Sequence, residues 1–212
     1  MVKIKNIIFD LGGVIINIRS EQDWYRNFMT PLLGESGLQN AIERKFFEWF
    51  ELGNLTTNDF YKNLKSLSEY EFSFDDLITA WNGRLLAIPE ERIDLLYQLA
   101  KSYNLFLLSN TNAIHQEYIL HYIKEKFDQE VFEEVFQTCY YSHELQLVKP
   151  AKEIYERVLA DAKIAPNHTL FIDDSVMNLE EPQLLGISTI HFKNDELFRL
   201  QLFNHIGKFY KY

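Results

Sequence analysis

The stretch Ile7-Ile8-Phe9-Asp10-Leu11-Gly12-Gly13-Val14 decides how the rest of the chain is read. Its apolar, β-branched start predicts a buried strand over residues 5–9. An isolated charge inside such a strand costs several kcal/mol or more, so the strand ends at Asp10. The carboxylate then projects from the carboxyl edge into a Gly-Gly turn, and in open α/β sheets that edge is where ligands bind. Two later runs have the same form. Leu105-Phe106-Leu107-Leu108 ends in Ser109-Asn110-Thr111-Asn112, and Thr169-Leu170-Phe171-Ile172 ends in Asp173-Asp174. Weaker strands are predicted over 135–140 and 187–192. Helices follow Pro89, which suits a first helical position where its missing N–H costs little, and Pro150. Short apolar runs alternating with helices predict a parallel sheet covered on both faces.

Residues from about 21 to 86 have a different character, with apolar residues at helical spacing and no strong strand. Ile42, Phe46, Trp49 and Phe50 share one helical stripe, which Gly53-Asn54 terminates. Thr56 with Asp59, and Ser73 with Asp76, are N-cap signals ahead of Phe60, Leu64 and Leu67 and of Leu77, Ile78 and Trp81. The expected architecture is therefore α/β: a doubly wound parallel-sheet core over 1–16 and 87–212, with a helical cap over 17–86 inserted after the first strand.

Composition narrows the partners. The 212 residues carry a formal net charge of −10, with 47% hydrophobic and 25% charged residues. An acidic chain repels nucleic acid and anionic membrane, so neither is an expected partner, and an anionic substrate needs local positive charge. Cys139 is the sole cysteine, which excludes an internal disulfide and a cysteine-rich zinc site. Asp10 interrupts the only apolar run near the N-terminus, so no signal-peptide core is read there, and no segment reaches bilayer length. The expectation is a cytoplasmic protein, a monomer or weak homodimer.

At one sheet edge the chain gathers a carboxylate (Asp10), a hydroxyl beside an amide (Ser109-Asn110), a lysine (Lys149) and an acidic pair (Asp173-Asp174). That set suits phosphoryl transfer, which consists mostly of positioning and charge stabilisation. Neighbouring carboxylates repel unless a cation joins them, and Mg²⁺ is a hard cation that takes oxygen ligands. Asp10 is then a candidate nucleophile forming an aspartyl-phosphate. The six histidines show no ligand spacing and read as surface or core residues. Arg19 and Arg26 read as solvated.

Four segments in order resemble the haloacid dehalogenase-like hydrolase superfamily over nearly the whole chain: the Asp10 stretch, Leu107 to Asn112, Lys149-Pro150 with Ile154-Tyr155, and Phe171-Ile172-Asp173-Asp174-Ser175 with Asn178. The Phe-Asp-Leu-Gly start and the Leu-Ser-Asn-Thr-Asn stretch are most similar to α-D-glucose-1-phosphate phosphatase-type members. The resemblance implies a Rossmannoid core and Asp10 as nucleophile, assisted by Lys149. It implies phosphate binding by Leu11, Gly12, Ser109, Asn110 and Lys149. It also implies Mg²⁺ held by Asp10, the Gly12 carbonyl and Asp174, with Asp173 a direct or water-mediated helper. The implied substrate is a small phosphorylated metabolite, with sugar phosphates among the candidates.

Three departures from the family pattern stand out. Most phosphatases of the family carry a general acid–base Asp two residues after the nucleophile, where this chain has Gly12; such catalysis is worth about 10² to 10⁴ in rate. Val148 and Gln146 stand where relatives often have Arg and Gly. Glu181-Pro182 replaces a Gly-Ala, and a helix beginning near Asn178 would hold Pro182 in its first turn. Two other readings compete: a metal-free 2-haloacid dehalogenase-type hydrolase, which predicts a non-acidic fourth segment, and a degenerate member acting as a binding or regulatory module.

Overall fold

In the computed structural model, which describes residues 3–127 and 130–207, five parallel strands form one sheet. They are β1 (Asn6–Phe9), β2 (Asn104–Ser109), β3 (Phe136–Tyr141), β4 (Thr169–Asp173) and β5 (Ser188–His191), in the spatial order β3-β2-β1-β4-β5. The strand that ends at Asp10 is central. Its register sets Phe9 opposite Leu107 on one side and Ile172 on the other, so Asp10, Ser109 and Asp173-Asp174 leave the sheet together at its carboxyl edge.

Side chains alternate between the two faces of a strand, and both faces are covered. Ile7, Phe9, Leu105, Leu107, Leu170 and Ile172 pack with Leu96, Leu99, Ile119 and Ile123 of helices Glu90–Ala100 and Ala113–Phe127. Ile8, Phe106, Leu108 and Phe171 face Ile154, Tyr155 and Val158 of helix Lys152–Ala162. Burying each such side chain stabilises the fold by about 1.5–3 kcal/mol. A one-residue slip of β1 would exchange its faces and carry Asp10 into an apolar layer, so the register is strongly held.

The helical segment has a core of its own. Trp24, Met29, Leu33, Phe50, Phe60, Leu64, Leu77 and Trp81 form one buried cluster, with the rings of Phe50 and Phe60 stacked 4.2 Å apart. Both N-cap expectations match the structure. Thr56 Oγ1 accepts from the Asp59 amide, and Ser73 and Asp76 form a reciprocal capping box. The single stripe expected from Ile42 to Phe50 is split. Helix Glu35–Glu43 stops, Lys45 takes a left-handed conformation, and a new helix Phe46–Glu51 begins out of phase. Phe46 and Phe50 therefore point inward, while Ile42 and Trp49 are 37% and 43% exposed. Two smaller boundaries also shift: Pro89 is the N-cap residue rather than the first helical one. The helix holding Pro182 begins at Glu180, after a 3₁₀ turn over Val176–Asn178, so Pro182 stays in the first turn.

The chain enters and leaves this segment through paired backbone. The Arg19 amide donates to the Arg84 carbonyl and the Leu86 amide to the Asn17 carbonyl, each at 2.9 Å. The segment is also bonded to the loops after β2 and β3. Trp81 Nε1 donates to Asn112 Oδ1 at 3.1 Å, and His115 Nε2 lies 3.1 Å from the Trp81 carbonyl. Ser142 Oγ lies 2.6 Å from the Glu51 carbonyl oxygen. Ile114, from the first turn of the helix after β2, joins the aromatic cluster.

Candidate active site

Asp10 emerges where β1 ends, and its amide still donates to the Ile172 carbonyl of β4 at 2.9 Å. Its carboxylate is buried, and so is Lys149, whose Nζ lies 2.7 Å from Asp10 Oδ1 and 2.7 Å from Asp173 Oδ2. The lysine is thus a shared counter-ion. Asn110 places it: its side-chain oxygen accepts from the Lys149 amide and its nitrogen donates to the Lys149 carbonyl, both at 2.9 Å.

The acidic pair divides its work. Asp173 is fully buried and saturated with donors. Oδ1 accepts from the Ser175 amide at 2.8 Å and from Asn178 at 3.0 Å, while Oδ2 accepts from Lys149 and, at 3.1 Å, from Asn178. Tyr155 fixes that loop by donating its hydroxyl to the Asn178 carbonyl at 2.8 Å. Asp174 is more exposed, and its carboxylate lies over Gly13. Gly13 has φ +74, and a Cβ there would sit 2.2 Å from Asp174 Oδ2. A glycine is required both by the backbone and by the close approach.

Burial raises the Asp10 carboxyl above the carboxylate range; Lys149 opposes that shift and Asp173 adds to it. Burial alone would lower Lys149, but Asp10 and Asp173 outweigh it and hold its ammonium above the ordinary value. Asp174 is raised by burial and then by Asp173. Asp10, Asp173 and Asp174 offer oxygen atoms that all lie within 4.8 Å of one another. Three carboxylates against one ammonium leave excess negative charge in a poorly solvated place. That donor set, all hard oxygen, fits a divalent cation such as Mg²⁺.

Ser109 is buried at the end of β2 and lines a cavity of about 140 Å³ with Leu11, Gly12 and Asn110. All eight residues expected at the site therefore meet at one sheet edge. Arg26 is exposed, whereas Arg19 donates to the Gly83 carbonyl at 2.9 Å and lies over the Phe28 ring. Sequence reasoning did not single out Glu51 and Arg84, which join the cavity wall from the helical segment, or His115, which joins it from helix Ala113–Phe127. The available signal was an acidic residue just before the Gly53-Asn54 helix stop.

The family model for haloacid dehalogenase-like hydrolases matches residues 7–192. The chain belongs to that family. Among curated relatives it is 30% identical to D-ribitol-5-phosphate phosphatase of Bacteroides thetaiotaomicron, over 94% of this chain and 97% of that protein. Among solved structures it is similar to a haloacid dehalogenase family enzyme of the same organism in complex with magnesium and inorganic phosphate. That match has 37% identity and a TM-score of 0.79 over 92% of this chain and all of that one. A haloacid dehalogenase-like hydrolase of Porphyromonas gingivalis superposes with TM-score 0.80 at 28% identity, over 97% and 98% of the two chains.

Proposed function

We propose that this chain is a Mg²⁺-dependent phosphomonoester hydrolase of a small phosphorylated metabolite, acting through an aspartyl-phosphate on Asp10. The observation that carries the reading is the Asp10–Lys149–Asp173 cluster, with Asp174 beside it, at the carboxyl edge of the central strand. Mg²⁺, held by Asp10, the Gly12 carbonyl and Asp174, would supply positive charge against the phosphate oxygens.

The residues then take separate roles. Ser109, the Asn110 amide and the backbone of Leu11 and Gly12 receive the phosphate in the cavity they line. An Asp10 carboxylate oxygen attacks phosphorus, and the bond from phosphorus to the substrate oxygen breaks. Lys149 stabilises the charge that gathers on the transferring group, the usual largest contribution in such reactions. Asp173, its oxygens fully engaged, acts as a positioning residue that aims Lys149. Water then attacks phosphorus, releasing inorganic phosphate and the Asp10 carboxylate. The helical segment 17–86 serves as a cap over this edge, and the organic part of the substrate enters beneath it.

The relative that cleaves a sugar-alcohol phosphate points to phosphorylated polyols and sugars as the substrate class. The fourth segment is acidic, which disfavours the metal-free dehalogenase reading. Among the described residues no helix is long and apolar enough to cross a membrane. The reading includes a cytoplasmic monomer or weak homodimer, which light scattering and cell fractionation test. The decisive experiment is a panel of sugar, polyol, alkyl and aryl phosphates with Mg²⁺ and with EDTA, beside Asp10→Asn. Activity is expected only in the Mg²⁺-loaded native chain. Activity that survives EDTA, or that survives Asp10→Asn, would sink the mechanism.

A further inference from the structure

Gly12 leaves the phosphatase reading without a proton donor for the leaving oxygen, and the helical segment carries a group placed to replace it. Glu51 is the last residue of helix Phe46–Glu51, and its main chain is pinned to the sheet domain. Ser142 Oγ meets its carbonyl, and two residues on, Gly53 (φ +72) lies so near the His143 carbonyl that a Cβ would come within 2.0 Å of it. The position of Glu51 is therefore set by the short helix Ser142–Leu145 that follows β3 rather than by a free helix end.

Two cavities meet at Glu51. One contains Gly12, Ser109 and Asn110, where the phosphate belongs. The other, about 230 Å³, lies inside the helical segment among Trp24, Tyr25, Phe47, Trp81 and Lys45. Glu51, Arg84 and His115 line both. A substrate with its phosphate in the first cavity and its organic part in the second has its bridging oxygen at this shared wall.

No side-chain hydrogen bond or ion pair engages the Glu51 carboxylate among the described residues. Arg84 is not within ion-pair distance of it; the guanidinium lies over the Trp24 ring, 5.6 Å from its centroid. Burial pushes the Glu51 carboxyl up to about 7; Arg84 opposes this and Glu48 and Glu21 reinforce it. A carboxyl tuned near neutrality gives and takes a proton with comparable ease.

We propose that Glu51 is the proton donor to the leaving oxygen and the proton acceptor for the hydrolytic water, in place of the side chain Gly12 lacks. This rests on the phosphatase reading above. In the first step Asp10 forms its bond to phosphorus, the ester P–O bond breaks, and the leaving oxygen takes the Glu51 proton to depart as an alcohol. In the second, water attacks phosphorus and yields a proton to the Glu51 carboxylate. The Asp10–phosphorus bond breaks, and phosphate, Asp10 carboxylate and protonated Glu51 are regenerated.

The test compares native chain, Glu51→Gln, Gly12→Asp and the double variant on glycerol phosphate, whose leaving group needs a proton, and on p-nitrophenyl phosphate, whose leaving group does not. In Glu51→Gln, kcat/KM on glycerol phosphate should fall by about 10²- to 10⁴-fold. The first-turnover burst of p-nitrophenolate should stay near the native rate, with slow turnover after it. Adding Gly12→Asp should restore the glycerol phosphate rate; the position has room, since a Cβ there meets only Ile18 side-chain carbons at 3.6 and 3.8 Å. An unchanged rate on glycerol phosphate in Glu51→Gln overturns the assignment. So does an equal loss on both substrates in the first turnover that Gly12→Asp leaves unrepaired, since that marks a binding or folding role. A native chain that cleaves neither these esters nor any other phosphate of the panel with Mg²⁺ overturns the phosphatase reading and this proposal with it, whereas an active native chain with Glu51→Gln unaffected overturns this proposal alone.

Discussion

Acidifying the solution should loosen the junction between helical segment and sheet through one side chain, His115. The ring is buried, with Nε2 against the Trp81 carbonyl and Nδ1 at 3.3 Å from the Asn112 amide nitrogen. These partners require the neutral ring, with Nε2–H donating and Nδ1 accepting. Burial lowers its pKa from 6.5 to about 4; the Trp81 carbonyl opposes the shift and Arg84 adds to it. The folded value is depressed, so the stability associated with the neutral ring is complete above 6.5. It is lost as pH falls toward 4, because only the unfolded chain takes the proton. At about 1.36 kcal/mol per pH unit the full loss is about 3.4 kcal/mol, and roughly 2.5 kcal/mol of it falls between pH 7.5 and 4.5. Other groups titrate over the same span. Glu51 acts in the opposite sense, its raised carboxyl favouring the fold as pH falls. A paired comparison removes them: urea unfolding of the native chain and of His115→Gln, which keeps a donor for Trp81, at both pH values. The native advantage over the variant should shrink by about 2.5 kcal/mol on acidification. A difference that stays constant to within about 0.5 kcal/mol would show that the ring is not held neutral by this site.

Four further outcomes follow from the geometry. Lys149→Met leaves Asp10 and Asp173 buried without their counter-ion and should cost about 3–5 kcal/mol in EDTA, measured by urea unfolding; a cost below about 1 kcal/mol would refute the shared ion pair. Gly13→Ala combines a strained φ with a Cβ thrust at the Asp174 carboxylate. It should lower stability by about 1–3 kcal/mol and weaken Mg²⁺ binding in titration calorimetry, while an unchanged Mg²⁺ affinity would remove Asp174 from the metal site. Asp174→Asn should weaken Mg²⁺ binding and activity together, since it removes charge at nearly constant size. Ser73→Ala breaks a capping box on the helix that carries Trp81 and should cost about 1 kcal/mol, read as a lower thermal midpoint.

The sheet was legible because parallel strands buried on both faces are continuous apolar runs, and a polar residue at the end of each run marks the edge. Asp10, Ser109 and Asp173-Asp174 were located by that logic alone. The burial of Lys149 was not legible, since the flanking Val148 and Pro150 indicate a loop and nothing about what the ammonium meets. Nor was the division between Asp173 and Asp174, which depends on where Asn178 and the Ser175 amide fall in three dimensions. The helix break at Lys45 was hidden because apolar spacing from Ile42 to Phe50 satisfies a continuous period, and no glycine or proline signals the left-handed turn. Glu51 escaped for a related reason. A lone glutamate at a helix end looks solvated until the opposite wall of its cavity, supplied by residues 11–12 and 109–111, is known.

The paired strips at residues 17–19 and 84–87 have a meaning for descent. The helical segment hangs from one short double strip of backbone whose bonds are made by amides and carbonyls rather than by particular side chains. A lineage could therefore exchange that whole stretch in one recombination without disturbing Asp10, Asp173 or Asp174, although Glu51 would go with it. What an incoming stretch must bring is small: an indole N–H for Asn112, a free carbonyl for His115, another for Ser142, a glycine where the chain brushes the His143 carbonyl, and a carboxyl in the place of Glu51. Those few matching points, not the sheet, set how readily such a protein can trade one appetite for another.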